Sequence, residues 1–138
     1  MTQLPESGPL PRPKSPQEAR ETLRAEALPA PDTQRVVLHA LEFTSICPRT
    51  EQPDFGTVTI DYRPRELIVE SKALKYYLWS FRDVGEFCES LAARIANDVM
   101  YAIEPHWLRV DVEQSARGGI EIVATAERGE QRRQRRDR

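Results

Sequence analysis

The sequence is poor in the residues that build metal centres and disulfide frameworks. Its 138 residues include only two cysteines, Cys47 and Cys88, and two histidines, His39 and His106. None of them has the CxxC or HxxxH spacing of a zinc site, and two thiols do not make a disulfide framework. Free thiols are typical of a reducing compartment. The composition therefore predicts a cytoplasmic protein that holds no metal.

Long hydrophobic runs and nucleotide-binding glycine motifs are also missing. No run of about 18 apolar residues exists, so no transmembrane helix is expected. No apolar segment follows Met1, so no signal peptide is expected either. No G-x-G-x-x-G motif follows a predicted strand, which excludes a Rossmann fingerprint. A nucleotide would have to be held by other means, such as charged side chains.

The shortage of large apolar residues is concentrated at the two ends of the chain. Residues 1–33 contain seven of the eleven prolines. We expect them to form a mobile arm with a short helix over residues 17–27, for which Ser15 is the N-cap and Pro16 the first helical residue. That helix lacks a broad apolar face, so it should be mobile or pack on a neighbour. The folded domain is predicted over residues 34–126.

Residues 127–138 form an arginine-rich tail. The tail contains six arginines, no apolar residue and no aromatic residue. Such a segment can bind nucleic acid, but a disordered, solubilising end is the more common case. Without aromatic residues for base stacking, direct nucleic-acid binding is not expected.

Hydrophobic periodicity in the middle of the chain predicts an α+β fold. Val58, Ile60 and Tyr62 alternate with polar residues in the clearest strand, and a second predicted helix has apolar residues at every fourth position from Phe87 to Ile103. The predicted elements are strands over residues 35–44, 56–63, 107–114 and 120–126, and helices over residues 71–81 and 86–103. This order predicts a four-stranded antiparallel sheet with two helices on one face. Its two open edges favour self-association.

Cys47 and Asp54 lie on a segment that two prolines stiffen. Pro48 follows the cysteine and Pro53 precedes the aspartate, and each proline restricts its neighbours. A thiol and a carboxyl presented in this way are consistent with a nucleophile and its proton donor. The alternative is a small buried cysteine and a solvated turn carboxylate, and the two residues alone do not decide between them.

Four segments carry a family resemblance. They are ESKALKYY at residues 70–77, FTSICPRTEQPDF at 43–55, SFRDVGEFCE at 80–89 and RGG at 117–119. Together they resemble the NADPH-dependent nitrile reductases of queuosine biosynthesis, the QueF family, in its short single-domain form. The resemblance extends from residue 42 to residue 119, which is most of the predicted domain.

The resemblance implies a fold and an activity. The fold is the tunnelling fold, in which protomers close a barrel as a ring, and the short form assembles as two stacked pentamers with sites between subunits. The activity is reduction of 7-cyano-7-deazaguanine to 7-aminomethyl-7-deazaguanine by two NADPH. This small molecule and further copies of the chain would be the partners.

The resemblance also implies roles for individual residues. Cys47 would form a covalent thioimide with the nitrile, and Asp54 would supply the proton. The substrate would contact Val69, Glu70, Ser71, Cys88 and Glu89, and the Glu89 carboxylate can accept two adjacent N–H groups of a guanine-like base. NADPH would be held by Lys72 and Lys75, with Arg82 and Arg117 as helpers.

Each of these assignments has a structural alternative. Glu89 can be a first-turn acid favoured by the helix dipole, and the two lysines can form a solvated face. One position departs from the family pattern, because relatives commonly have histidine where this chain has Cys88. Two other functions stay open: a GTP cyclohydrolase-like tunnelling-fold enzyme acting on a purine, and a non-catalytic ring that binds a partner.

Overall fold

The computed structural model describes residues 3–130 of the chain. Within this range lie three helices and six strands. In chain order they are α1 (Pro16–Ala25), β1 (Leu28–Pro29), β2 (Val36–Ile46), β3 (Pro53–Arg63), β4 (Leu67–Ile68), α2 (Ser71–Trp79), α3 (Cys88–Ile103), β5 (Trp107–Arg117) and β6 (Ile120–Gly129).

Four strands form one antiparallel sheet in the order β2-β3-β5-β6. Ile60 lies opposite Leu38 on one side and opposite Val110 on the other. The alternation of apolar and polar residues places Val58, Ile60 and Tyr62 on the buried face, as the sequence predicted. The predicted four-stranded antiparallel sheet is confirmed, and β2 and β6 are its two open edges.

The helices α2 and α3 cover the same face of the sheet. Leu91, Ile95, Val99 and Ile103 of α3 are at most 2% exposed, and α3 packs on β5 and β6. The predicted stripe is therefore confirmed except at its first residue. Phe87 is the N-cap of α3 and is 53% exposed, because the chain is still extended there.

A third helix, α1, packs on α2 and α3. The predicted N-cap is present, since the Ser15 hydroxyl accepts from the Glu18 N–H at 3.1 Å. Ala19 and Leu23 are fully buried, so a narrow apolar stripe suffices to dock the helix on its own chain. A partly buried ion pair between Arg20 and Asp98 adds to this contact, and Asp98 also accepts from the Tyr77 hydroxyl at 2.5 Å.

The ends of several elements differ from their predicted bounds. Strands β5 and β6 extend beyond the predicted residues, so β6 includes the first residues assigned to the arginine-rich tail. The rest of that tail, residues 131–138, lies outside the described residues. The mobility of the N-terminal arm and the domain boundary at residue 33 stay predictions. Within residues 3–130, no helix combines the length and hydrophobicity of a membrane span.

Candidate functional site

Cys47 lies on the turn that joins β2 to β3. Its backbone N–H donates to the Gln52 carbonyl at 2.9 Å, and its carbonyl accepts from the Glu51 N–H at 2.8 Å. Glu51 has a left-handed φ of 61°, which closes the turn. The preceding residue, Ile46, donates its N–H to the Val84 carbonyl at 3.0 Å. This hydrogen bond joins the start of the turn to the loop after α2.

The surroundings of the Cys47 sulfur favour the thiolate. The Thr50 hydroxyl, the backbone N–H groups of Thr50 and Arg49, and the positive charge of Arg117 lower the pKa of Cys47 from 9.0 to about 7, in that order of importance. The cysteine is partly exposed and therefore accessible to a substrate. About half of the Cys47 thiol groups are thus ionised at neutral pH, and a cysteine nucleophile reacts in this ionised form. Sequence reasoning missed Thr50, although a hydroxyl three residues after a turn cysteine is a signal that could have been used.

Asp54 is buried near the start of β3, opposite Ser45 of β2. It is 6% exposed and forms an ion pair with the Arg117 guanidinium. The register of β5 shifts after Gln114, and the irregularity lies where the strand approaches this carboxylate. A Cβ atom on Gly56 would meet the Glu113 carbonyl oxygen at 2.1 Å. Glycine is therefore required for β5 to pass this close to the Asp54 segment.

Cys88 shares a small pocket with Asp54. Gln114, Ser45 and Glu86 add polar groups to its lining. The Cys88 thiol is 4% exposed and donates to the Val112 carbonyl at 3.3 Å. Burial raises the pKa of Cys88, and the charge of Glu89 raises it further. Of the two thiols, Cys47 is therefore the more acidic and the more accessible.

A larger cleft of about 580 Å³ lies between β2 and α2. Its lining includes Ser71, Lys75 and Arg82, together with the side of Trp79. The indole N–H of Trp79 is buried and has no acceptor among the residues that the structure describes. Two cations, a free donor and apolar walls fit the phosphates and the ring of a dinucleotide. All of the residues that line this cleft lie at or after Leu38 in the sequence.

The remaining candidate residues surround the start of α2 and α3. Glu70 is the N-cap of α2 and accepts from the Ala73 N–H at 2.8 Å, while the Val69 N–H donates to the Tyr62 hydroxyl at 3.0 Å. Lys72 donates to the Pro5 carbonyl at 3.1 Å. Glu89 lies exposed in the first turn of α3.

The candidate residues thus form two groups in one protomer. Cys47, Asp54 and Arg117 lie near the end of the β2–β3 hairpin, and Lys75 and Arg82 line the cleft between β2 and α2. Arg117, which the resemblance implies is a helper in nucleotide binding, forms an ion pair with Asp54. Among residues 3–130, no three His, Cys, Asp or Glu side chains converge as a metal site would require.

Comparison with known proteins identifies the family. A family model described as "QueF-like protein" matches residues 53–133, which is more than half of the chain. The chain belongs to the QueF family.

Two curated QueF-family relatives are named NADPH-dependent 7-cyano-7-deazaguanine reductase. The protein from Anaeromyxobacter sp. (strain Fw109-5) is 48% identical over 103 residues, covering 74% of this chain and 84% of the relative. The protein from Alkalilimnicola ehrlichii is 47% identical over 105 residues, covering 74% of this chain and 81% of the relative.

A solved structure supports the QueF-family fold. The apo crystal structure titled archaeosine synthase QueF-Like superimposes with a TM-score of 0.69 and 26% identity, covering 74% of this chain and all of that chain. The α+β tunnelling fold that the resemblance implied is confirmed for the protomer. Assembly of protomers into a ring is part of the proposed function.

Proposed function

We propose that this chain reduces 7-cyano-7-deazaguanine to 7-aminomethyl-7-deazaguanine with two NADPH, as a step in queuosine biosynthesis. The observation that carries the proposal is the accessible Cys47 thiol, whose pKa is lowered to about 7. A nitrile is a weak electrophile, and a thiolate at neutral pH attacks it far better than water does. The relatives' names supply the substrate and the reductant.

The first step forms a covalent bond to the protein. The Cys47 sulfur adds to the nitrile carbon, the C≡N bond becomes C=N, and one proton reaches the nitrogen to give a thioimide. Asp54, buried at the same end of the β2–β3 hairpin, is the proposed source of that proton. Arg117 holds the ionised carboxylate in place, and Asp54 takes up a proton from solvent before it passes that proton to the nitrogen.

The reduction then uses two hydrides, which NADPH supplies when it is bound. The first hydride and a proton convert the thioimide to a tetrahedral adduct, and the C–S bond breaks to release the Cys47 thiolate, a proton and an imine. The second hydride and a proton convert the imine to the amine. Four electrons are thus transferred, and the cysteine returns to its starting state.

Binding roles follow from the two groups of residues. Lys75, Arg82 and Ser71 line the cleft that fits the nucleotide. Lys72, three residues before Lys75 on α2, is a further proposed phosphate contact. Glu89 is the proposed anchor for the base, and its exposure in a single protomer is consistent with a pocket completed by a neighbouring subunit. Val69, Glu70 and Cys88 are the further proposed substrate contacts. The assembly proposed is two stacked pentamers.

An assay with two cysteine variants tests this function. Wild-type protein should oxidise two NADPH for each 7-cyano-7-deazaguanine consumed, and Cys47→Ala should oxidise none. Without NADPH, intact mass spectrometry should show the wild-type chain heavier by one substrate molecule. Cys88→Ala is the matched control, because it removes the other thiol and retains Cys47, so it should still form the adduct.

Three outcomes would contradict the proposal. Absence of NADPH oxidation by the wild type would exclude the reductase, and it is also the result expected of a GTP cyclohydrolase-like enzyme or a binding ring. An adduct that persists in Cys47→Ala would exclude this cysteine as the nucleophile. Consumption of the nitrile without NADPH would indicate a different reaction of the same thioimide.

A further inference from the structure

The N-terminal segment of residues 3–14 is docked on the domain. Leu4 is 7% exposed within the hydrophobic core, and its backbone N–H donates to the Glu26 carboxylate at 2.7 Å. Leu10 packs against the same core, and Pro13 is buried. This segment, called the strap below, runs from the start of α2 to the loop that follows α2.

One contact of the strap is made with the lysine motif. The Pro5 carbonyl lies next to the buried Leu4 and accepts a hydrogen bond from the Lys72 ammonium at 3.1 Å. A lysine ammonium has three N–H donors, so two remain for another acceptor. A flexible lysine loses conformational entropy when it binds a ligand, and the strap has already restricted this one.

A second contact ties the strap to the loop that supports the cysteine turn. Arg12 forms an ion pair with Asp83, and the next residue, Val84, accepts the hydrogen bond from Ile46 beside Cys47. Both Arg12 and Asp83 are largely exposed, so this pair contributes little by itself. The buried Leu4 is therefore the anchor on which the Lys72 contact depends.

We infer that the strap is a positioning element for nucleotide binding. Through the Pro5 carbonyl it holds Lys72 in one conformation, with two donors left for a phosphate group of a dinucleotide. This inference rests on the proposed function and goes beyond it, because it assigns a role to residues outside the resembling segments. Lys72 is the group that would contact the phosphate, and the strap acts through it.

Leu4→Asp tests the strap in the full-length protein. An unpaired carboxylate is costly to bury, so residue 4 should leave the core and the strap should detach. We expect it to weaken NADP⁺ binding about tenfold in calorimetry, which is the effect of roughly one hydrogen bond to a charged group. The KM for NADPH should rise similarly with kcat little changed. Leu28→Asp is the matched control, because Leu28 is already 46% exposed and lies outside the strap. It should bind NADP⁺ within about twofold of the wild type.

Coupling to Lys72 separates this role from a merely structural one. In a Lys72→Met background, Leu4→Asp should cause no further loss of NADP⁺ affinity. Unchanged NADP⁺ affinity in Leu4→Asp, or losses that multiply in the double variant, would overturn the inference.

A measurement on the wild type covers the case in which Leu4→Asp does not fold. Because coupling is reciprocal, saturating NADP⁺ should slow cleavage after the exposed Glu6 by a glutamate-specific protease, again about tenfold. Equal cleavage rates would overturn the inference. Failure of the proposed function is distinguishable, since the wild type would then form no adduct with 7-cyano-7-deazaguanine.

Discussion

The acidity of Cys47 depends chiefly on one hydroxyl group, that of Thr50. Because this hydroxyl stabilises the thiolate, its removal raises the pKa of Cys47 from about 7 towards the ordinary 9.0. The reactive form is then lost at neutral pH and regained as the pH rises. The group that lowers the pKa of Cys47 most is therefore a neutral hydroxyl and not a charge.

We predict that Thr50→Val slows alkylation of Cys47 by iodoacetamide about fivefold at pH 7. A rise of about one pKa unit lowers the ionised fraction from about a half to about a tenth. The measurement is the rate against pH, followed by mass spectrometry of the Cys47 peptide. Thr50→Ser retains the hydroxyl and should keep the wild-type profile. An unshifted profile in Thr50→Val would contradict the prediction.

Residue patterns singled out Cys47 and Asp54 but did not reveal the ion pair between Arg117 and Asp54. The position of Arg117 depends on the register shift in β5, which alternation in the sequence does not reveal. A sequence pattern reports which face a side chain takes. It does not report which residue of another strand lies beside it.

Helix α1 was the least well predicted of the long elements. Its Ser15 cap and its length follow from local chemistry, so the sequence revealed them. Its buried face consists of Pro16, Ala19, Thr22 and Leu23, and only the last of these is a large apolar residue, so the sequence gives little sign that the face is buried. Only the grooves of α2 and α3 determine that this face is buried.

We predict that Leu23→Ala lowers the free energy of unfolding by about 2–5 kcal/mol, the usual cost of truncating a fully buried leucine. Urea unfolding followed by circular dichroism measures it. Leu28→Ala removes the same atoms from a side chain that is 46% exposed, and it should change stability by less than about 1 kcal/mol. A similar small effect of both variants would show that α1 is detached in solution.

At the level of the whole molecule, the open sheet edges carry apolar side chains. Leu41 on β2 is 72% exposed, and Ile120 and Val123 on β6 are 67% and 61% exposed. Unpaired edges of this kind favour strand addition by another copy. A site completed between protomers would then bring Glu89 of one copy towards the cysteine turn of another.

We predict that the wild type sediments as a decamer and that Leu41→Lys shifts it to smaller species. Assembly would bury the lysine at the strand edge, and this opposes pairing with another copy. NADPH oxidation should fall with the assembly, because the proposed site is shared between subunits. Analytical ultracentrifugation and the activity assay measure the two effects. Gln17→Lys adds the same charge at an exposed position of α1 and should leave the decamer intact. A monomeric wild type at micromolar concentration would contradict the assembly.

The sequence by itself determined the order of the main strands and helices, the buried faces of β3 and α3, and the segment that carries the thiol. These properties are local, because they depend on residue spacing, proline geometry and capping. Only the tertiary structure decided that α1 packs on its own chain, that Arg117 meets Asp54, and that Pro5 meets Lys72. These contacts join residues distant in sequence, so they depend on strand register and on how helix surfaces fit together.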